Sequence, residues 1–335
     1  MTLEVMTAGI ILASLTFYVL LGGADYGAGV WELLARGSHG PAQRRLIEEA
    51  IGPIWEANHV WLILVITVLF TAFPAAFAVI TTRLHIPLTL MLIGIVLRGA
   101  GFAFRGHDVP KHVMRPYWER TFAIASVITP VLLGLTIGTV ASGELRENDR
   151  NLLSVFVWPW LAPFPLAVGL FALALFVFLA AVYLTREAKE TELREDFRRR
   201  ALVAAVMVAL LAAVVGALSA RGAPQIWREL TRTVWGLSLL LVTAVVAGGA
   251  IVALSKRRFL LAQICAAGEA VLILWGWAFA QFPFLVIPNI TISNAAASPL
   301  TLRLLLLAIL VGGVVLFPSL YYLFRIFKAR SLSFH

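Results

Sequence analysis

The chain has 335 residues, 61% of them hydrophobic and only 13% charged, with a mean hydropathy of +0.91. Soluble domains average about 45–50% apolar and about 25% charged, so this composition excludes an ordinary soluble enzyme and implies a polytopic membrane protein. The net charge of +9 is not a nucleic-acid signature, because the basic residues lie in loops between apolar spans, and the lone Cys265 excludes an internal disulfide or a Cys-based metal cluster.

Nine segments are long enough to cross about 30 Å of hydrocarbon. The N-terminus, Met1-Thr2-Leu3-Glu4, has no basic stretch and no cleavage site, so the first span, near 7–34, is expected to be a retained anchor. Its inner half carries Gly22-Gly23-Ala24-Asp25-Tyr26-Gly27-Ala28-Gly29. Asp25 falls about 27 Å along the span at 1.5 Å per residue. A carboxylate in hydrocarbon costs about 2.5 kcal/mol or more and marks an ion or proton route. The glycines beside it allow another backbone or a cofactor to come close. Glu32 shares the helix face of Asp25, seven residues on, and with Tyr26 extends the polar groups toward the cytoplasm. A snorkelling or capping acid near the interface is the structural alternative.

The second span, near 57–82, is entered through Pro53-Ile54-Trp55-Glu56-Ala57-Asn58-His59-Val60-Trp61. Glu56 and His59 are three apart, so their side chains can meet, and the tryptophans suit an interfacial belt. Glu56 reads either as a first-turn acid favoured by the helix dipole or as a proton-collecting mouth. After a tight turn at Thr81–His85, the third span, near 84–104, carries Arg98, which can pair with Asp25 or Glu56 or snorkel. The fourth span is near 121–142. The fifth, near 156–185, begins with Pro159, Pro163 and Pro165, which predict an interfacial re-entry before the true helix. The mixed-charge stretch 186–200 predicts a solvated cytoplasmic helical hairpin that divides four spans from five. Further spans follow near 201–220, 233–254, 259–282 and 303–324. Glu269, between Gly268 and Ala270 in the eighth, is an intramembrane acid and so a candidate functional residue.

Alternating the loops puts nineteen Lys/Arg on one side and seven on the other, with Arg98 inside a span. The positive-inside rule then places the N-terminus outside and the C-terminus in the cytoplasm after nine crossings. The chain is expected to be one integral membrane domain, 1–335, with halves 1–142 and 156–324. A haem between helices takes histidines from facing spans. His39, His107, His112 and His335 lie in loops or the tail, and His59 and His85 stand about 39 Å apart by helical rise. No haem ligation by this chain and no metal site are expected.

Gly-Gly-Ala-Asp-Tyr-Gly, the stretch Ile51 to Leu62, the run Arg98 to Arg105, and the late segments Phe282-Pro283-Phe284, Pro288, Asn294-Ala295-Ala296 and Leu300-Thr301-Leu302 together resemble subunit II of cytochrome bd quinol oxidases. The resemblance covers the whole chain in order. It implies an all-α fold of nine transmembrane helices, as two four-helix bundles plus one peripheral helix. The implied activity is quinol oxidation coupled to reduction of dioxygen to water, at the bacterial or archaeal cytoplasmic membrane. Haem b, with or without haem d, and the quinol-binding loop are implied for a partner, subunit I. A small accessory membrane subunit is a further implied partner, and lipid and, in some members, a structural quinone are implied ligands. Asp25 falls on the family's intramembrane aspartate, Glu56 on a position where many members have Asp, and His59 where glutamine is common; Glu269 matches no motif. The implied role is to support subunit I and supply a cytoplasmic proton path. A purely structural scaffold subunit and a secondary transporter are the alternatives, although the Pro/Gly breaks cluster at span ends and not at the midplane as a transporter would need.

Overall fold

The structure, a computed structural model, describes residues 2–37, 39–51, 55–105, 115–145 and 151–332. Gly52, Pro53, Ile54, His107, His112 and His335, named above, lie outside them. The chain opens with α1 (Leu3–Phe17), which continues through a π-turn (Tyr18–Gly22) into α2 (Gly23–Leu33) as one 31-residue apolar unit. There follow α3 (Gly40–Ile51), α4 (Trp55–Ala72), α5 (Pro74–Arg83), α6 (His85–Arg105), α7 (Arg115–Ser142), α8 (Leu152–Phe156), α9 (Trp158–Leu161), α10 (Pro163–Glu187), α11 (Thr191–Gly222), α12 (Pro224–Arg232), α13 (Val234–Ser255) and α14 (Phe259–Gln281). A two-stranded antiparallel ribbon, β1 (Phe284–Val286) with β2 (Ile290–Thr291), precedes the final helix α15 (Pro299–Leu332). The ribbon is a small departure from the all-α expectation.

Among the described residues, eight helices are long and apolar enough to cross a membrane, and a ninth is reached if α4 and α5 count as one span. The continuous second span expected near 57–82 is therefore corrected: the chain bends by 118° between α4 and α5. Pro74 has no N–H and its ring excludes a helical residue before it, and Phe73 accordingly has φ −134° and ψ 62°. The corner is held from outside. Phe73 is fully buried with Ala72, Ala76, Ile292, Ala295 and Leu302, and the Ala297 N–H donates to the Ala72 carbonyl at 2.8 Å. The 18 residues of α4 rise about 27 Å, close to the hydrocarbon thickness, so α4 can cross without α5.

The fifth span starts later than position 156. The proline-rich entry folds as α8 and α9, and the long helix begins at Pro163 after an extended Ala162. The charged stretch is a helical hairpin with a short turn at 188–190; the Arg194 guanidinium donates from Nη2 at 2.6 Å and from Nε at 3.1 Å to the Ala188 carbonyl just past the end of α10. Apolar on all sides, α10 is the central helix, as such a helix must be buried. It packs on α2, α7, α11 and α14, with Phe176, Phe178 and Leu179 through Val182 all buried.

The loops gather at two ends. At one, Gln43 Nε2 of α3 donates to Asp196 of α11 at 2.7 Å, and Arg257 reaches Glu195 at 3.3 Å. Three of the basic loops thus share an end. At the other, Leu84, Val140, Leu145 and Val286 form one cluster. The start of α1 packs with Ile292 and Leu302, whereas α15 runs on for 34 residues, about 51 Å. The N- and C-terminal helices therefore begin and end at opposite ends of the molecule.

Candidate functional site

The site forms where α2, the π-turn, α4, α6 and α7 converge. Gly27 lets α2 lie directly on α10: a Cβ there would stand 1.9 Å from the Phe176 carbonyl oxygen. Gly29 does the same toward α7, where a Cβ would meet Ser126 Oγ at 2.3 Å. Small residues at this spacing let membrane helices approach at backbone distance. Trp31 then fixes the helix in place, its Nε1–H donating to the Val177 carbonyl at 2.9 Å.

Asp25 is 6% exposed and accepts a hydrogen bond from the Asn58 amide. Arg98, 1% exposed, supplies the positive charge that acts on it. The Arg98 Nε–H donates to Ser126 Oγ at 3.3 Å, and Ser126 donates to the Phe122 carbonyl at 2.7 Å. The guanidinium lies 4.6 Å from the Tyr26 ring centre and 5.0 Å from that of Phe122. These rings offer a buried cation their negative faces. The Tyr18 and Tyr26 hydroxyls meet at 3.1 Å, and the His59 ring lies 6.2 Å and 6.5 Å from the two tyrosine rings. The Arg98 charge also reaches His59. A donor of Arg98 and an acceptor of Asn58 are left over: Arg98 Nη2 and Asn58 Oδ1 have no hydrogen-bond partner among the described residues. Buried polar atoms of this kind are exceptional and mark a position that ordered water can fill.

Of the residues singled out in the sequence, the structure brings Asp25, His59 and Arg98 together. Arg98 lies with Asp25 and not with Glu56. Glu56 is exposed on the first turn of α4; two residues from Asn58, it points away from the side of the helix that meets Asp25. Glu269 is buried on α14, outside this cluster. Asn58, Tyr18 and Ser126 complete the site and were not singled out. Asn58 had a readable signal, an amide two residues into an apolar span. Tyr18 had none, because residues eight apart are turned about 80° from one another in a regular helix and do not stack. The π-turn absorbs the extra residue and brings Tyr18 onto Tyr26, and such turns recur at functional sites.

His59 packs between the Tyr18 and Tyr26 rings, 6.2 Å and 6.5 Å away, and the other histidine inside a described span end is remote from it. His85 has its Nδ1 at 2.9 Å from the Thr82 carbonyl and packs on Phe156 at 5.2 Å, at the far end of α6 from Arg98.

Below the cluster, a polar cavity of about 360 Å³ opens at the end of α2, lined by Glu32, Leu33, Arg36, Arg44, Pro116, Glu119, Arg120 and Ala123. Glu32 is 5% exposed, and Arg44 Nη2 holds the Ala35 carbonyl at 2.9 Å.

The family model described as Cytochrome bd terminal oxidase subunit II matches residues 3–327. A Bacillus subtilis protein provisionally named as subunit II of a cytochrome bd menaquinol oxidase is 22% identical over 343 residues, covering 97% of each chain. The cytochrome bd-I ubiquinol oxidase subunit 2 of Escherichia coli K12 is 28% identical over 204 residues, 59% of this chain and 52% of that one. Among solved structures, a chain of the bd oxidase from Geobacillus thermodenitrificans shares the fold at a TM-score of 0.80 and 22% identity, covering 98% of this chain and 99% of that chain.

Proposed function

Because the chain belongs to the cytochrome bd terminal oxidase subunit II family, we propose that its Asp25 cluster carries protons through this integral membrane subunit toward the oxygen-reducing centre of a haem-bearing subunit I. The chain is a subunit of a quinol:oxygen oxidoreductase, and the family match sets the transporter alternative aside. Haem supplies the electron transfer and oxygen chemistry in the complex; no step of this reading passes through a haem or a quinone held by this chain. The basic end is the cytoplasmic one, with the N-terminus outside, in keeping with the positive-inside bias. The membrane is the cytoplasmic membrane, and the nine spans form two four-helix groups, with α15 as the peripheral helix. Quinol, lipid and a small accessory subunit complete the assembly.

One observation carries the proton role: a buried carboxylate that accepts from an amide and lies in the field of a buried guanidinium, with an unused donor and acceptor beside it. Reduction of dioxygen to water consumes protons, and these must cross low-dielectric protein. Asp25 can pass a proton on because Arg98 and Asn58 stabilise the carboxylate left behind, while the leftover atoms of Arg98 and Asn58 are places for a water that hands protons on. Glu56, on the surface three residues before His59, collects protons where α4 begins.

The test is quinol-driven oxygen consumption by the assembled complex. Asp25→Asn keeps the size and removes the titration, so the complex should assemble with its haem spectrum intact while turnover falls by about a hundredfold, the low end for loss of a proton-transfer group. Glu56→Gln should lower it less, since water reaches the surface by other routes. A wild-type rate for assembled Asp25→Asn between pH 6 and 9 would remove Asp25 from the obligatory path.

A further inference from the structure

Resting on the Asp25 relay, we infer that the cavity at the end of α2 is a second proton-entry port, with Glu32 as the group that takes protons in and passes them up to the Arg98–Asp25 cluster. Two facing stripes of side chains build it. On α2, Asp25, Gly29 and Glu32 follow at intervals of four and three, which places them on one helix face. On α7, Glu119, Ala123 and Ser126 follow at the same intervals and face them. Each stripe has an acid at the mouth and a small residue in the middle, and Ser126 on α7 and Asp25 on α2 lie further in. The stripes touch at Gly29, whose missing Cβ leaves the room that Ser126 Oγ fills.

Polar groups stand on both sides of the Gly29–Ala123 level, at the mouth and further in. Glu32 is buried yet lines the cavity, so its carboxyl belongs to both the cavity and the protein interior. Ser126 Oγ, above Ala123, accepts from Arg98 Nε, and Arg98 acts on Asp25. Glu32 and Asp25 are seven residues apart, about 10.5 Å of helical rise. A cavity of about 360 Å³ has room for several waters at roughly 30 Å³ each, enough to bring protons from the surface to Glu32. The charges facing Glu32 are Arg36 from its own chain end, Arg44 from α3, and Glu119 and Arg120 from α7. Arg98 lies further in on α6, and Arg200 of α11 lies 5.3 Å over the neighbouring Trp31 ring.

The experiment uses the assembled oxidase carrying Glu56→Gln, so that the cavity is the remaining entry. Adding Glu32→Gln should lower oxygen consumption about a hundredfold, Glu32→Asp should restore most of it, and the loss in Glu32→Ala should be recovered by added acetate, a small weak acid the cavity admits. Arg36→Gln, at an exposed rim position that spares folding, should move the alkaline limb of the turnover–pH profile to higher pH, because loss of a nearby cation raises a carboxyl's proton affinity. An unchanged rate with Glu32→Gln overturns the port, as does a loss that neither Asp nor acetate repairs. Should Glu32→Gln fail to assemble, an unmoved alkaline limb in Arg36→Gln overturns it. Asp25→Asn run alongside separates the two ideas. A slow Asp25→Asn with a fast Glu32→Gln removes the port alone, and a fast Asp25→Asn removes the relay and with it the port.

Discussion

Arg98 and Asp25 explain each other. Desolvating either charge alone costs several kcal/mol, and removing one member of a buried pair leaves the other uncompensated. Arg98 is fully buried, held by Ser126 and by the faces of Tyr26 and Phe122, so it cannot snorkel to water. Arg98→Leu should therefore destabilise the extracted complex by about 3 kcal/mol, measured as the shift of its thermal denaturation. The double variant Arg98→Leu/Asp25→Asn should recover part of that loss, because the stranded carboxylate is gone. Strict additivity of the two single changes would show that the two side chains do not sense each other. This pairing was legible only as one of three options for Arg98, because sequence places residues along a helix but not helices beside one another.

The elements show why the glycine-rich run is where it is. Gly27 faces the Phe176 carbonyl, with no room for a methyl group, whereas Gly9, on the same apolar unit, has nothing within 4 Å. Gly27→Ala must push α2 off α10, the central helix, and should cost assembly and thermal stability together. Gly9→Ala should leave assembly unchanged and thermal stability no lower, since it removes a flexible residue from a helix interior, worth about 1 kcal/mol in favour of the helix. Equal behaviour of the two variants in the yield of haem-loaded complex would contradict the close approach. The second span shows the opposite case. Hydropathy reads continuously across Phe73-Pro74, but the pre-proline restriction and the anchoring of Ala72 by Ala297 turn the chain by 118°.

At the scale of the whole molecule, the loops sort into two ends, and α1 begins at the end opposite to the one where α15 finishes. The proposed orientation, resting on nineteen basic residues against seven and the positive-inside rule, has the end where α15 finishes in the cytoplasm. Reporter fusions after Glu4 and after Arg330 should score opposite sides of the membrane, the first outside. Both tails on one side would mean that α4 or another of the nine segments does not cross.

The sequence by itself determined the membrane class, the order and approximate extent of the apolar segments, the family and Asp25 as the residue to examine. Each of these follows from local composition, or from a motif contiguous in the chain, so no distant contact was needed to see it. The tertiary structure alone decided the rest. Which acid lies in the Arg98 cluster and which remains on the surface depends on how α2, α4 and α6 are rotated against one another, and the close approach of Gly27 to α10 and of Gly29 to α7 fixes α2's part in that. The meeting of Tyr18 with Tyr26 depends on a single π-turn that no hydrophobic periodicity announces. The cavity beneath Glu32 exists because α2 and α7, more than eighty residues apart in the chain, oppose small residues at one level and acids at the next.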